Sequence, residues 1–159
     1  MDNNELINPV GQVFIEVKDA NGNIEYIVAK NKILRLGRIG LAKAITNDFG
    51  AFFDLFVISM VFGSGGTSGG TPRVVEDTRE GLFGPTILTK GVISTIDPVI
   101  PTQATFTSVV TFDEAIGQTI NEMALQLHSE DFFSMVTFGD ISKSISIQLT
   151  FNWKINFIG

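Results

Sequence analysis

The sequence predicts a mainly β fold: an antiparallel β-sandwich-like domain with an N-terminal hairpin, one α-helix and a long glycine-rich loop. Several short segments alternate apolar and polar residues with a period of two, which is typical of half-buried strands. These segments are rich in β-branched residues and contain many of the 14 phenylalanines, residue types that favour strands. A length of 159 residues suits one core, so we expect a single domain over residues 1–159.

A hairpin and a buried strand are predicted in the first half of the chain. Residues 12–18 alternate between apolar and polar side chains, and Asn21-Gly22 tolerates the positive φ angles of a tight turn. The chain should therefore return as a second strand and form a hairpin over residues 12–29. Residues 55–62 are almost continuously apolar, which predicts a strand that is buried on both faces and lies at the centre of a sheet.

One helix is predicted between these two elements. Leu34, Leu41 and Ile45 recur at spacings of seven and four, which indicates a helix over residues 32–46. Gly37 and Gly40 lie within it, and each disfavours a helix by up to ~1 kcal/mol relative to alanine. The helix therefore needs support from a close neighbour.

Residues 63–72 contain five of the 16 glycines and have the composition of a flexible loop. A phosphate-binding P-loop would need a Gly-Lys pair, which the chain lacks. The dinucleotide pattern Gly-x-Gly-x-x-Gly begins at Gly63 but fails at Ser68. The loop is thus either a solvated connection or an arm that becomes ordered on assembly. In the second case its partner-interface residues are Gly65, Gly66, Gly69 and Gly70.

The second half of the chain has the composition of successive strands. They are predicted at residues 86–96 with an interruption near Gly91, and at 104–112, 120–127, 132–138 and 144–157. The last one alternates without a miss, and its 14 residues would extend over about 48 Å. It is either a bent strand that serves two sheets or a strand that outruns its domain and pairs with another subunit. The second possibility makes Trp153 an interface residue.

The net charge of the chain and its local distribution give different indications about partners. The chain has 11 Lys and Arg against 17 Asp and Glu, a net charge of −6 that argues against general nucleic-acid binding. A local basic cluster nevertheless precedes and covers the predicted helix. It is either a solvated helix face or a surface for a partner. Its members are Lys30, Lys32, Arg35, Arg38 and Lys43.

The chain offers little for catalysis. It has no cysteine, which excludes disulfides and thiolate chemistry, and His128 is its only histidine. His128 could join nearby carboxylates in a metal site, but the favoured interpretation is a polar turn between two strands. Neighbouring acidic pairs fall in predicted turns, where solvated carboxylates are the norm. We therefore expect no enzymatic activity, no cofactor, no bound metal and no small-molecule substrate.

Export and membrane insertion are not expected. Residues 1–5 are polar and acidic, unlike the basic start of a signal peptide. The most apolar window, residues 51–62, includes Asp54 and is shorter than the about 20 residues of a spanning helix. The chain has only one Tyr and one Trp, which argues against carbohydrate recognition.

Residues 31–158 resemble the small virion proteins of tailed bacteriophages, a group that includes tail, collar and neck components and fibre attachment domains. The resemblance lies in the order of short motifs along the chain. Where such proteins often have Arg-Glu-x-Gly-Leu, this chain has Ala124 in place of the glycine. The motifs are Asn31-x-Ile33 before a basic helix with Leu41-Ala42, Ile58-x-Met60-x-Phe62-Gly63-Ser64-Gly65-Gly66, Asp77-Thr78, Ile120-Asn121-Glu122-Met123-Ala124-Leu125, Ile141-Ser142-Lys143, and Trp153-Lys154-Ile155-Asn156-Phe157.

This resemblance implies a scaffold role and no catalytic residue. The expected protein is made in the host cytoplasm and ends in the virion, as a homo-oligomer that contacts other virion proteins of the tail, neck or collar. Two alternatives remain open: a decoration protein on the capsid, and a carbohydrate-binding module on a host-recognition fibre. The low charge of the chain, 18% Asp, Glu, Lys and Arg, agrees with a surface that is partly covered by other subunits.

Overall fold

A computed structural model describes residues 9–46 and 56–157, which form two five-stranded antiparallel sheets, a small hairpin and one helix. The two large sheets face each other across a shared apolar core. The predicted mainly β, sandwich-like class with an N-terminal hairpin and a single helix is confirmed for the described residues. The one helix within these ranges is not long and apolar enough to cross a membrane.

Sheet A has the strand order β2-β1-β12-β9-β8. The turn between β1 and β2 contains Gly22 at φ +87°, as the Asn-Gly pair predicts. Asp19 closes this turn, because its Oδ1 accepts hydrogen bonds from the N–H groups of Asn21 and Asn23. The strands of sheet A are β1 Val10–Asp19, β2 Ile24–Lys30, β8 Ile93–Ile96, β9 Gln103–Val110 and β12 Ile147–Asn156.

Sheet B has the order β3-β11-β10-β4-β7. The apolar run at residues 55–62 is predicted to be the central strand, and this prediction is wrong. Residue 55 lies outside the described residues, and from Val57 the run belongs to β4, which lies beside the edge strand β7, while β10 occupies the centre. An apolar run indicates a strand that is buried on both faces. β10 and β11 are buried in the same way, so the run does not determine the order of the strands. The strands are β3 Lys32–Ile33, β4 Val57–Gly63, β7 Thr86–Gly91, β10 Thr119–Leu127 and β11 Phe132–Ser142.

The helix α1 spans Arg35–Thr46 and begins three residues later than predicted. It begins late because Lys32–Ile33 pair with β11 as a short strand, after which the N–H of Leu34 donates to the carbonyl of Phe133 at 3.0 Å. Gly37 is the point of closest approach, since a Cβ there would lie 2.2 Å from the Phe133 carbonyl oxygen. The glycine that weakens the helix in isolation is what lets it lie against β11.

The predicted strand at residues 86–96 is divided between the two sheets. β7 pairs with β4 in sheet B, and after Val92 the chain crosses to sheet A, where β8 pairs with β9. The interruption near Gly91 marks this crossing.

The C-terminal strand is shorter than predicted. Residues 144–146 form a turn, in which the N–H of Ile147 donates to the carbonyl of Ser144 at 3.2 Å, and β12 starts only at Ile147. β12 pairs with β1 on one side and β9 on the other, so it neither serves two sheets nor outruns the domain. Its inward residues build the core, where the rings of Phe151 and Phe62 from the opposite sheet lie 4.7 Å apart.

Candidate protein-interaction site

The sequence predicts that the basic residues lie together on and just before the helix, but in the structure they do not form one helix face. Lys30 belongs to β2 and Lys32 to β3, and only Arg35, Arg38 and Lys43 lie on α1. All of them except Arg38 are exposed. They are therefore distributed over an edge strand, a short strand and a helix, because the helix begins after Lys32.

Arg38 is engaged within the chain. Its Nη2 lies 2.6 Å from Oδ2 of Asp77, and its Nη1 donates to the carbonyl of Ile33 at 3.3 Å. The hydrogen bond from Arg38 lowers the pKa of the Asp77 carboxyl. Arg38 therefore holds residues 73–80 against the start of α1 and is the least available of the five basic residues for a partner.

The glycine-rich segment, predicted to be a flexible arm, is held to the domain in its first half. A Cβ at Gly65 would lie 2.2 Å from the backbone nitrogen of Gly84, and one at Gly66 would lie 2.2 Å from the carbonyl oxygen of Asn121. These glycines are required because two backbones approach closely, a reason that composition does not reveal.

The second half of this segment is a small hairpin, β5 Thr67–Ser68 with β6 Thr71–Pro72. Gly69 and Gly70 form its tip at φ +58° and +81°, and both are exposed. Of the four glycines predicted to contact a partner, only these two lie on the surface.

A buried carboxylate holds the glycine-rich segment in place. The side chain of Glu122 is fully buried, and its Oε1 accepts hydrogen bonds from the N–H groups of Gly65 at 2.8 Å and Gly84 at 2.9 Å. Its Oε2 accepts from the N–H of Phe83 at 2.7 Å. Three backbone donors thus satisfy the two oxygens of one buried carboxyl group, which offsets the cost of burying it.

Asn121 completes this arrangement, which we call the polar clamp (Asn121, Glu122 and Asp140). Its Oδ1 accepts from the N–H of Gly66 at 2.7 Å, and its Nδ2 donates to Oδ1 of Asp140 at 2.8 Å. Thr67 also donates its hydroxyl to Asp140 at 2.8 Å. Consecutive strand residues normally face opposite sides of a sheet, but a register shift between Ile120 and Glu122 lets both clamp residues of β10 reach the same loop.

Acid should weaken the polar clamp through Asp140. Hydrogen bonds from Asn121 and then Thr67 lower the pKa of Asp140 below its ordinary value of 3.8. A carboxyl with a depressed folded-state pKa stabilises the protein above its unfolded pKa, and this stability is lost as the pH falls through the folded value. We expect Asp140→Asn to lower the melting temperature at neutral pH.

The melting temperatures of the wild type and this variant should draw together as the pH falls through the lowered folded-state pKa of Asp140, because the wild-type carboxyl then becomes protonated. A difference that stays constant from neutral to acidic pH would contradict the assignment. Asp131→Asn is the matched control, because that exposed carboxyl lies outside the clamp.

The close backbone approach at Gly66 gives a second prediction. Gly66→Ala should destabilise the protein by about 2–3 kcal/mol, because the new Cβ meets a backbone oxygen that no side-chain rotation can move. Gly139→Ala is the control, since nothing lies within 4 Å of the added atom there. Chemical denaturation of both variants measures the difference, and equal midpoints would refute the close contact.

Residues 66–70 have the Gly-x-Ser-x-Gly spacing of a nucleophile elbow, with Ser68 at its centre. Such an elbow is a turn from a strand into a helix, whereas Ser68 lies in the β5–β6 hairpin. His128 follows the far end of β10, seven residues from the Asn121 that contacts Thr67, or about 23 Å along a strand. The fold therefore keeps this serine and the histidine apart.

The side chain of Trp153, predicted to be an interface residue, lies inside the sandwich. It is 0% exposed and packs with inward residues of both sheets, while its Nε1 has no hydrogen-bond partner within the described residues. The prediction is wrong because every second residue of a central strand faces the core.

The two edges of sheet A carry exposed apolar side chains. On β2 they are Ile24, Tyr26 and Val28, and Tyr26 is 66% exposed; on β8 they are Ile93 and Ile96, and Ile93 is 71% exposed. These residues are not among those that the sequence pattern predicts to contact a partner. The available signal was that β2 is apolar at both odd and even positions from Tyr26 to Ala29, which one buried face does not require.

Comparisons with known proteins identify no relative. No family model matches this sequence. No curated protein matches it, and no solved structure matches it. Within residues 9–46 and 56–157, no group of three or more His, Cys, Asp or Glu side chains is placed to hold a metal ion.

Proposed function

We propose that this chain is a structural subunit that works through protein–protein contacts, and that its place is the virion of a tailed bacteriophage, in the tail, neck or collar. The order of motifs over residues 31–158 supports the virion assignment. The polar clamp has the character of a structural device, since its carboxylates accept hydrogen bonds from the chain itself. No catalytic step is assigned to any residue.

One observation carries the assembly part of this proposal: sheet A presents apolar side chains at both of its edges. An edge strand has unpaired backbone donors and acceptors, and proteins that act alone commonly protect it with charges or a covering loop. Here β2 exposes Tyr26 and Val28, and β8 exposes Ile93 and Ile96. Subunits that cover these edges would bury both the backbone groups and the apolar surface.

The composition of a purified phage particle tests the proposal. The gene is inactivated in a phage that carries it, and the resulting particles are examined by electron microscopy together with wild-type particles probed with an antibody against this chain. We expect antibody label at the tail, neck or collar and incomplete particles in the mutant. Label spread over the capsid surface would favour the decoration protein, and unlabelled, complete particles would refute a virion role.

A further inference from the structure

We infer that a second copy of this chain pairs with the free edge of β2, with the two β2 strands antiparallel about a two-fold axis at Val28. The inference rests on the proposed assembly function and names the partner of one edge.

The hydrogen-bond pattern identifies which backbone groups of β2 are free. The N–H of Asp19 donates to the carbonyl of Asn23, and the N–H of Asn31 donates to the carbonyl of Gly11, so odd-numbered positions face β1. Antiparallel ladders alternate, which turns the backbone groups of the even-numbered positions away from β1. Among residues 9–46 and 56–157, these donors and acceptors have no backbone partner, and they belong to Ile24, Tyr26, Val28 and Lys30.

The same positions present their side chains to solvent. Tyr26 is 66% exposed and Val28 is 50% exposed, while Ile27 and Ala29 between them pack against the core. Free backbone groups and exposed apolar side chains thus coincide on one edge. A strand added at this edge would form hydrogen bonds with the free backbone groups and place its own side chains against the exposed apolar ones.

A second copy fits this edge because the strand is complementary to itself. With the axis at Val28, Tyr26 of each copy lies opposite Lys30 of the other, and the pair occurs twice. The hydroxyl of Tyr26 already lies 3.4 Å from Oε2 of Glu16 on β1, so each lysine meets an aromatic ring beside a carboxylate. The joined sheets would also remain antiparallel throughout, as sheet A already is.

The other edges of the described sheets are less open. β8 has only four residues and runs into Asp97-Pro98, and a proline cannot extend a ladder. β7 is flanked by residues 111–118, with Nζ of Lys90 2.7 Å from Oε1 of Glu114. β3 has two residues. β2, with seven residues, is the longest edge strand among them.

Cysteine cross-linking tests the pairing, because the natural chain contains no cysteine. In this register the Cα atoms of the two Val28 residues are about 5.5 Å apart, within the range that a disulfide spans. The proposed interface joins only a few pairs of strand residues, so we expect the two copies to associate weakly in solution. A disulfide that captures the transient dimer is therefore a more suitable test than a measurement of mass. Val28→Cys should form a covalent dimer under mild oxidation.

Two controls make the result specific to the register. Ile93→Cys lies on the opposite edge of sheet A at a position that is more exposed than Val28, and Ile24→Cys lies on β2 but away from the axis; both should cross-link far more slowly. Lys30→Glu in the Val28→Cys chain should slow cross-linking about fivefold, and adding Glu16→Lys should restore it. Equal rates at all three cysteine positions, or no dimer from Val28→Cys, would overturn the inference.

This outcome is separable from that of the proposed function. A chain found in virions whose Val28→Cys variant stays monomeric would remove the β2 pairing and keep the virion role. A chain absent from virions whose Val28→Cys variant cross-links would do the reverse. Circular dichroism of each cysteine variant establishes that it is folded, since these side chains are exposed and do not contribute to the core.

Discussion

Replacing Glu122 with alanine is expected to destabilise the protein by about 3 kcal/mol or more, because three partly buried N–H groups lose their acceptor at once and each unsatisfied donor costs about 1–3 kcal/mol. The melting temperature should fall by about 10 °C or more for a domain of this length. The lone tryptophan, Trp153, is buried and reports unfolding through its fluorescence.

Two variants separate the polar clamp from a general effect of removing a carboxylate. Glu122→Gln keeps the shape and one acceptor oxygen but places an NH₂ group against one of the backbone donors, so its loss should be intermediate. Glu76→Ala removes an exposed carboxylate and should leave the melting temperature nearly unchanged. If Glu122→Ala melted like Glu76→Ala, the clamp would contribute nothing to stability.

Replacing Trp153 with alanine should cost about 3–5 kcal/mol, since a large side chain leaves a cavity between the two sheets. Trp153→Phe should lose far less. The Nε1 of Trp153 has no hydrogen-bond partner within the described residues, so phenylalanine forfeits some volume but no hydrogen bond. Urea denaturation followed by circular dichroism measures both variants, because neither retains the fluorescent residue.

The same two variants test whether the side chain of Trp153 belongs to the core or to an interface. An interface tryptophan would leave the stability of the isolated chain unchanged when replaced by alanine and would alter only its association. A Trp153→Ala chain as stable as the wild type would therefore show that this side chain lies on the surface. Tyr26→Ala, which removes an exposed aromatic side chain from β2, is the matched control for stability.

The strands that the sequence predicts well are those with local signals. The Asn21-Gly22 turn and the alternation on either side of it determine the first hairpin, and both lie within a few residues of each other. The position of β4 could not be predicted in the same way. Strand order depends on which distant segments pair, and an apolar run such as residues 55–62 is compatible with any place in the interior of a sheet.

The candidate site was harder to predict than the fold, because its contacts join distant parts of the chain. Gly65 and Glu122 are 57 residues apart in sequence, so neither the composition of the loop nor the strand pattern indicates that they meet. The visible signal was a pair of adjacent polar residues, Asn121-Glu122, within a mostly apolar strand. The alternation of the last strand likewise continues through the turn at residues 144–146, which hides where β12 begins.

The position of β12 has a consequence for synthesis. It follows every other described strand in the sequence, yet it lies between β1 and β9 in sheet A. While the ribosome is still adding residues 147–156, the hairpin of β1 and β2 has no neighbour on its inner side. In nascent chains β1 therefore cannot pair with its inner neighbour until β12 has been synthesised. A chain that ends before residue 147 because its mRNA is truncated lacks the strand that joins β1 to β9, so sheet A cannot be completed.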